Sequence, residues 1–335
     1  MPITTTQFAG HEAIQIEAGR IRLMVTTSVG PRVLGLLTED GRNHFAELPE
    51  MTLDCPGSGV IHLRGGSRLW AAPEEPRFTY RPDDDPVGVE EIDDGVRLVT
   101  RPDPVSETSR EIDIRVTGSE HFAFDYRVVN RAEHPQRLAA WAITMMKPLG
   151  RAFLPVLTHD FDEGGFQGQR NIVLWSYSRN DDPRYLVHDG AIEVRSAVMA
   201  DGPFEVPFKV GTSMRRGWAA HYREGLLLVK YSEHDEARAY ADMGASGQVY
   251  SHGDFTELES LGPLTDLDPG DVAEHREDWA IHLVDESEAE RLVLSDQLDR
   301  GPRPRHTARK EHRERLSRPW PRRLDHRHQG HPPRA

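Results

Sequence analysis

The sequence predicts an all-β protein, a large antiparallel sandwich with few helices. Three observations support this. Short stretches alternate apolar and polar side chains, the period of a strand with one wet face. Gly, Pro, Asp and Asn separate these stretches at close spacing, as turns between strands require. Helical periodicity is scarce, with no repeat of fixed period and no alternation of strands with long amphipathic helices, which removes propeller, solenoid and dinucleotide-binding α/β architectures.

Taken in order, strands are expected at Arg20–Thr27, Arg32–Leu37 and Gly95–Thr100. Arg110–Asn130 reads as a hairpin: Ile112, Ile114 and Val116 alternate with charged residues before the turn "TGSEH", and Phe122, Phe124, Tyr126 and Val128 alternate after it. Further strands are expected at Asn171–Ser178, Gly225–Ser232, Asp254–Leu264 and Asp278–Asp285. Acidic residues opening Asp285–Asp299, with Leu292, Leu294 and Leu298 behind them, predict a closing helix. "EHDEARAYADM" (Glu233–Met243) carries a weaker helical signal. Arg64–Val87, "RGGSRLWAAPEEPRFTYRPDDDPV", is too rich in Gly and Pro for a helix and too punctuated for a long strand. It reads as a stiff loop with Arg68 and Trp70 turned inward and the "RPDDDP" acids facing water.

The 335 residues include 37% apolar side chains and 28 glycines, which suits a folded chain with a sizeable core. The sequence divides into a sandwich domain, 1–299, and a basic tail, 300–335. The tail holds 12 Lys/Arg against 3 Asp/Glu, and its prolines and few apolar residues predict a solvated, disordered segment. The domain carries a net charge of −23 within the chain total of −14. An acidic body argues against nucleic acid as the main ligand, because phosphate neutralisation supplies most of that affinity. Cys55 is the only cysteine, so neither an intrachain disulfide nor a thiolate metal site can form. The N-terminus has no basic region followed by an apolar core, and no run approaches a membrane span, so the expectation is a cytoplasmic protein with no membrane partner.

Several chemistries are excluded by missing motifs. There is no P-loop, no GxGxxG between strand and helix, no nucleophile elbow and no HExxH. What remains is a set of acids, aromatics and cations near strand ends. Glu257 and Glu259 in "FTELESLGPL" stand two apart, so a strand puts both on one face; paired carboxylates repel, raising at least one pKa and making a candidate general acid or base. The alternative is an edge strand with both facing water. Arg68 and Trp70 share the same spacing. A guanidinium beside an indole suits a sugar, which shows hydroxyls at its edge and C–H groups on its face. Trp141, Trp175 and Trp279 read as core residues, and Trp218 as undecided. His159 opens an acidic, glycine-rich loop where an imidazole could deliver a proton. His62, His159, Asp160 and Asp162 match no strong ligand spacing, so no metal is expected.

The segments "GPRVLGL", "GGSRLWAAPEEPRFTYRPDDDPV", "WAITMMKPLGRAFLP", "RNIVLWSYSRNDDPR", "KVGTSMRRGWAAHYREGLLLVK" and "FTELESLGPLTDLDPGDVAEHREDW" occur in the order found in the DUF4380 proteins. Over Ile14 to Val284 the chain resembles that family, which in turn resembles the galactose mutarotase-like (aldose 1-epimerase-like) superfamily. The resemblance implies a large antiparallel β-supersandwich, a small carbohydrate as ligand, no cofactor, and acid/base interconversion of a sugar or sugar derivative. In mutarotases a glutamate takes the anomeric proton and a histidine protonates the ring oxygen. "ELESLGPLTDLDPG" resembles the segment holding that glutamate and points to Glu259, with Glu257 as its rival. Where mutarotases carry the histidine, this chain has Thr144, Met145, Met146 and Lys147. The acid then falls to His159, or to Lys147 if burial lowers its pKa. Arg68, Trp70, Lys147, Lys209 and Asp242 are the expected substrate-binding residues. A non-catalytic carbohydrate-binding protein on the same fold is the competing expectation.

Overall fold

The computed structural model describes residues 4–157, 166, 168–196, 198–199, 202–203, 206–295 and 297–300. His159 and almost all of the basic tail lie outside the described residues. Two large antiparallel sheets face each other. In the first, the strands run in the order Thr4–Phe8, His11–Ala18, Ile21–Thr26, Arg32–Leu37, Gly59–Ala72, Gln136–Met146, Phe255–Leu261, Gly247–His252, Phe208–Thr212 and Ile172–Leu174. The second runs Tyr185–Val187, Ala191–Arg195, Arg151–Pro155, Trp218–Arg223, Leu226–Tyr231, Val272–Leu283, His121–Asn130, Thr108–Gly118, Gly95–Val99 and Gly88–Ile92.

Alternation decides which side chains meet between the sheets. Leu69, Ala71, Ala140 and Ala142 of the first sheet pack against the layer of Ile112, Ile114, Phe122, Phe124 and Trp279 from the second. At the other end Leu258, Val249, Phe208 and Val210 meet Ala152, Leu154, Ile192 and Val194. The outer face of the second sheet is not all wet. The helix Glu286–Val293 covers part of it through Ala289 and Val293, and Asp285 caps that helix by accepting a hydrogen bond from the Glu288 backbone N–H. Elsewhere on that sheet, charged residues neutralise one another: Asp113 is fully buried between Arg97, Arg115 and Arg127.

Two expectations need correction. The Gly-rich start of Arg64–Val87 belongs to a 14-residue strand, Gly59–Ala72. The strand tolerates its punctuation because Arg64, Gly65 and Gly66 adopt φ of 54°, 84° and 69°, a left-handed kink that lets its two halves pair with different neighbours. A Cβ at Gly65 would lie 1.9 Å from the Ala46 carbonyl oxygen, and one at Gly66 would lie 2.2 Å from that of Val33, so only glycine fits. Of the "RPDDDP" acids, Asp83 does not face water. It is ion-paired with the buried Arg32 and, at 2.9 Å, with Arg64. Burial opposes its charge, yet the two guanidiniums hold its carboxyl below the ordinary range.

Smaller differences follow from local geometry. The strand expected at Asn171–Ser178 stops at Leu174, because Ser178 turns back to bond the Lys209 backbone through its hydroxyl in both directions at 2.7 Å. Glu233–Met243 forms no regular helix; the short helical turn Ala241–Gly244 has left-handed backbone at Asp242 and Met243. Trp218 and Trp279 are core residues.

Candidate functional site

The candidate site lies on the face of the first sheet turned away from the second. Register builds it row by row. Arg68 stands opposite Ile143, Ile143 opposite Glu259, and Glu259 opposite Gln248. In the next row Gly66, Met145, Glu257, Tyr250 and Lys209 follow one another across five strands. Trp70 stands opposite Trp141. Glu257 and Glu259 thus share a face, as their spacing predicted, and Arg68, 189 positions from Glu257 in sequence, becomes its neighbour.

Two ion pairs occupy the centre. Arg68 Nη2 donates to Glu257 Oε1 at 2.9 Å, and the Arg68 guanidinium stacks 4.0 Å from the Trp70 ring centroid. Lys209 Nζ donates to Glu259 Oε2 at 3.0 Å, and the Trp141 indole N–H donates to the same oxygen at 2.9 Å. The ammonium also lies 4.8 Å from the Trp141 ring and 4.7 Å from the Trp175 ring. Trp70 meets Trp141 and Tyr80 edge to face, at 5.8 and 5.2 Å. The hydroxyl of Tyr80 donates to Glu74 on the loop that follows the kinked strand.

The two carboxylates differ in depth. Glu257 is 9% exposed and Glu259 is 0% exposed. Burial pushes the Glu259 carboxyl up to about 7, Lys209 pulls against it, and the nearby Glu257 charge pushes it up further. Burial and the same carboxylates push the Tyr250 hydroxyl up to about 12 and raise the Tyr177 hydroxyl strongly. Three buried polar atoms here have no hydrogen-bond partner: Glu259 Oε1, Arg68 Nε and Gln248 Oε1. The arrangement can hold one proton near neutrality at Glu259 and present the Glu257 carboxyl beside aromatic faces.

Arg68, Trp70, Lys209, Glu257 and Glu259 are brought together. Asp242 reaches the site through Gln248, whose side-chain amide donates to it at 2.7 Å. Lys147 stands apart from these contacts, ion-paired with Glu47 at 2.6 Å. His159 lies outside the described residues, and no histidine among the described residues bonds to Glu257 or Glu259. Trp141 is buried in the core as expected and also bonds Glu259, whereas Trp175 is only half-buried and corrects the core reading; both flank Lys209. Tyr250, Tyr177 and Gln248 were not anticipated. Tyr177 was within sight in "LWSYS", a second aromatic close to a tryptophan, whereas Tyr250 and Gln248 depend on register alone.

Neither a family model nor a curated relative matches the chain. Solved structures do match. A candidate aldose 1-epimerase from Escherichia coli K12 aligns with a TM-score of 0.51 at 11% identity, covering 84% of this chain and 100% of that one. A galactose mutarotase-like protein from Lactobacillus casei aligns with a TM-score of 0.51 at 10% identity, covering 81% and 100%. A candidate aldose 1-epimerase from Klebsiella pneumoniae gives 0.52 at 10% identity, covering 86% and 85%. At such identities the likeness is one of fold: the chain has the galactose mutarotase-like β-sandwich architecture.

Proposed function

We propose that the chain is a carbohydrate-active protein that interconverts the anomers of an aldose or aldose derivative by acid/base chemistry. The observation that carries this is the pair Glu257 and Glu259, held on one sheet face between cations and walled by Trp70, Trp141, Trp175 and Tyr250. Aromatic faces accept the C–H side of a sugar, and carboxylates and guanidinium accept and donate to its hydroxyls. The order of the sequence segments further supports kinship with the DUF4380 proteins.

Glu257 is the base in this reading, because of the two carboxylates it alone reaches the surface, and Arg68 holds it in place through an ion pair at 2.9 Å. It takes the anomeric hydroxyl proton. The proton for the ring oxygen comes through Lys209 Nζ, which is hydrogen-bonded at 3.0 Å to the enclosed Glu259 carboxyl, pushed up to about 7. The ring opens, the C1–C2 bond turns, and reclosure returns both protons.

Polarimetry on freshly dissolved α-anomers tests this. Wild type accelerates mutarotation, and Glu257→Gln and Glu259→Gln each lose about a hundredfold or more. A second reading, a non-catalytic carbohydrate-binding protein, is favoured by one observation: both carboxylates are already ion-paired and Glu259 is fully buried. Sugar binding by calorimetry without acceleration for any common aldose would establish that reading and remove the first.

A further inference from the structure

A concavity lies beside the turn Asp242–Gly244, lined by Met243 and Gly244 of that turn. Its volume is about 430 Å³, enough for a small molecule, and its walls include Arg170, Asn171, Arg215, His234, Arg238 and Gly244. Among the described residues three guanidiniums line it against one carboxylate, Glu236. That balance opposes residues 1–299 taken whole, whose net charge is −23. An acidic protein that gathers cations from three separate segments into one hollow has built a local field of the opposite sign.

The chain fixes these cations without neutralising them all. Arg170 is anchored by donating its Nε–H to the Leu157 carbonyl at 3.0 Å, and its Nη2 reaches the highly exposed Asp189 at 3.3 Å. Arg238 is steadied by an uncharged group, donating to the Thr265 hydroxyl at 2.8 Å. Arg215 pairs with Glu236 at 3.1 Å. His234 is oriented by the Ser246 hydroxyl at 2.8 Å and by stacking on Tyr240, so its ring is held in place at the wall. Exposed ion pairs such as Arg170–Asp189 are worth little and yield to a better-placed anion.

The hollow is separate from the carboxylate site but adjacent to it. Ser213, which also lines it, stands four residues beyond Lys209, a strand distance of roughly 13 Å. Asn171 bonds the Met243 carbonyl at 2.9 Å, and Asp242 on the same turn bonds Gln248, the register partner of Glu259. One turn therefore forms the partition between the two.

We propose that this hollow is a binding site for an oxyanion carried by a small molecule, a phosphate or a carboxylate, with Arg170 and Arg238 as its main donors. Paired guanidinium donors match the geometry of either group. The proposal stands whether or not the neighbouring carboxylates catalyse anomer interconversion.

Calorimetric titration of the full chain with inorganic phosphate, with glucuronate and with glucose tests it. Phosphate is expected to bind with an affinity that falls as salt rises, and the double variant Arg170→Gln/Arg238→Gln is expected to weaken it about tenfold or more with an unchanged melting temperature. Glu257→Gln is expected to leave phosphate affinity unchanged, since it lies across the partition. Glucuronate binding weakened by the same double variant assigns the carboxylate form; phosphate binding alone assigns the phosphate form. If neither anion binds, or if both bind the double variant as they bind wild type, the proposal is overturned. Glucose binding read from tryptophan fluorescence in that event would still support the carboxylate site, so the two failures are distinguishable.

Discussion

At the residue scale, the site turns on how Glu259 is surrounded. Its carboxyl is fully buried, and burial is the largest influence raising it to about 7, with Lys209 as the main opposing charge. Replacing Lys209 by Met removes that opposition while keeping the apolar stem. The expected outcome is a Glu259 titration displaced upward from its wild-type position, measured by carboxyl-carbon NMR with Glu259→Gln to identify the signal. An unchanged or lower value would show that Lys209 does not control the proton. Arg68, Trp70, Glu257 and Glu259 were legible in the sequence because spacing within one strand marks them, and Lys209 was expected only alongside the family resemblance. Trp141 was not. An indole in "LAAWAIT" reads as core on either face, and here both faces of the strand are buried, one by the second sheet and the other by loops. Only register reveals that its N–H meets a carboxylate.

At the scale of elements, the strand Phe255–Leu261 serves two environments. Its outward residues Glu257 and Glu259 form the site, and its inward Ser260 joins a buried network between the sheets. Lys230 Nζ lies 2.7 Å from Glu277 Oε1 and donates to the Leu258 carbonyl at 3.0 Å and to the Thr144 hydroxyl at 3.1 Å. Glu277 Oε2 accepts from the Trp279 indole at 2.7 Å and from Tyr126 at 3.1 Å. The Ser260 hydroxyl bonds His275 Nε2 at 2.7 Å as well as Glu277. Removing one charge of such a pair leaves the other buried and uncompensated, at a cost of about 3–5 kcal/mol. Lys230→Met is therefore expected to lose about that much in urea unfolding, and Lys230→Met/Glu277→Gln to recover most of it. A double variant as unstable as the sum of the single ones would refute the pairing. The outlines of these elements were readable: Arg32–Leu37 matches its expected bounds, and the hairpin and closing helix are present. The kinked strand was not, since its glycines signal a turn unless the approach of Ala46 and Val33, distant in sequence, is known.

At the scale of the whole molecule, buried titratable groups set how stability varies with pH. Burial is the first cause in each case, holding His44 and His275 down to about 4 and His221 down to about 3. Both ring nitrogens of His221 lack a hydrogen-bond partner, so nothing in the fold welcomes a proton there. Each histidine stays neutral when folded but charges near 6.5 when unfolded, so the unfolded chain binds more protons below that pH. Their contribution is complete above 6.5 and is lost as pH falls toward 4. Glu259 acts oppositely: raised to about 7, it favours the folded chain below its unfolded value and loses that contribution as pH rises through 7. Three histidines outweigh one glutamate, and stability is expected to decline between pH 6.5 and 4. His221 supplies roughly 2 kcal/mol of the difference between pH 7 and pH 5. His221→Leu, close in volume and without a proton to refuse, is expected to shrink the gap between unfolding free energies at those two pH values by about that amount. Urea titrations at both pH values measure it, and a gap as wide as in the wild type would show that this imidazole is not the group that resists acid.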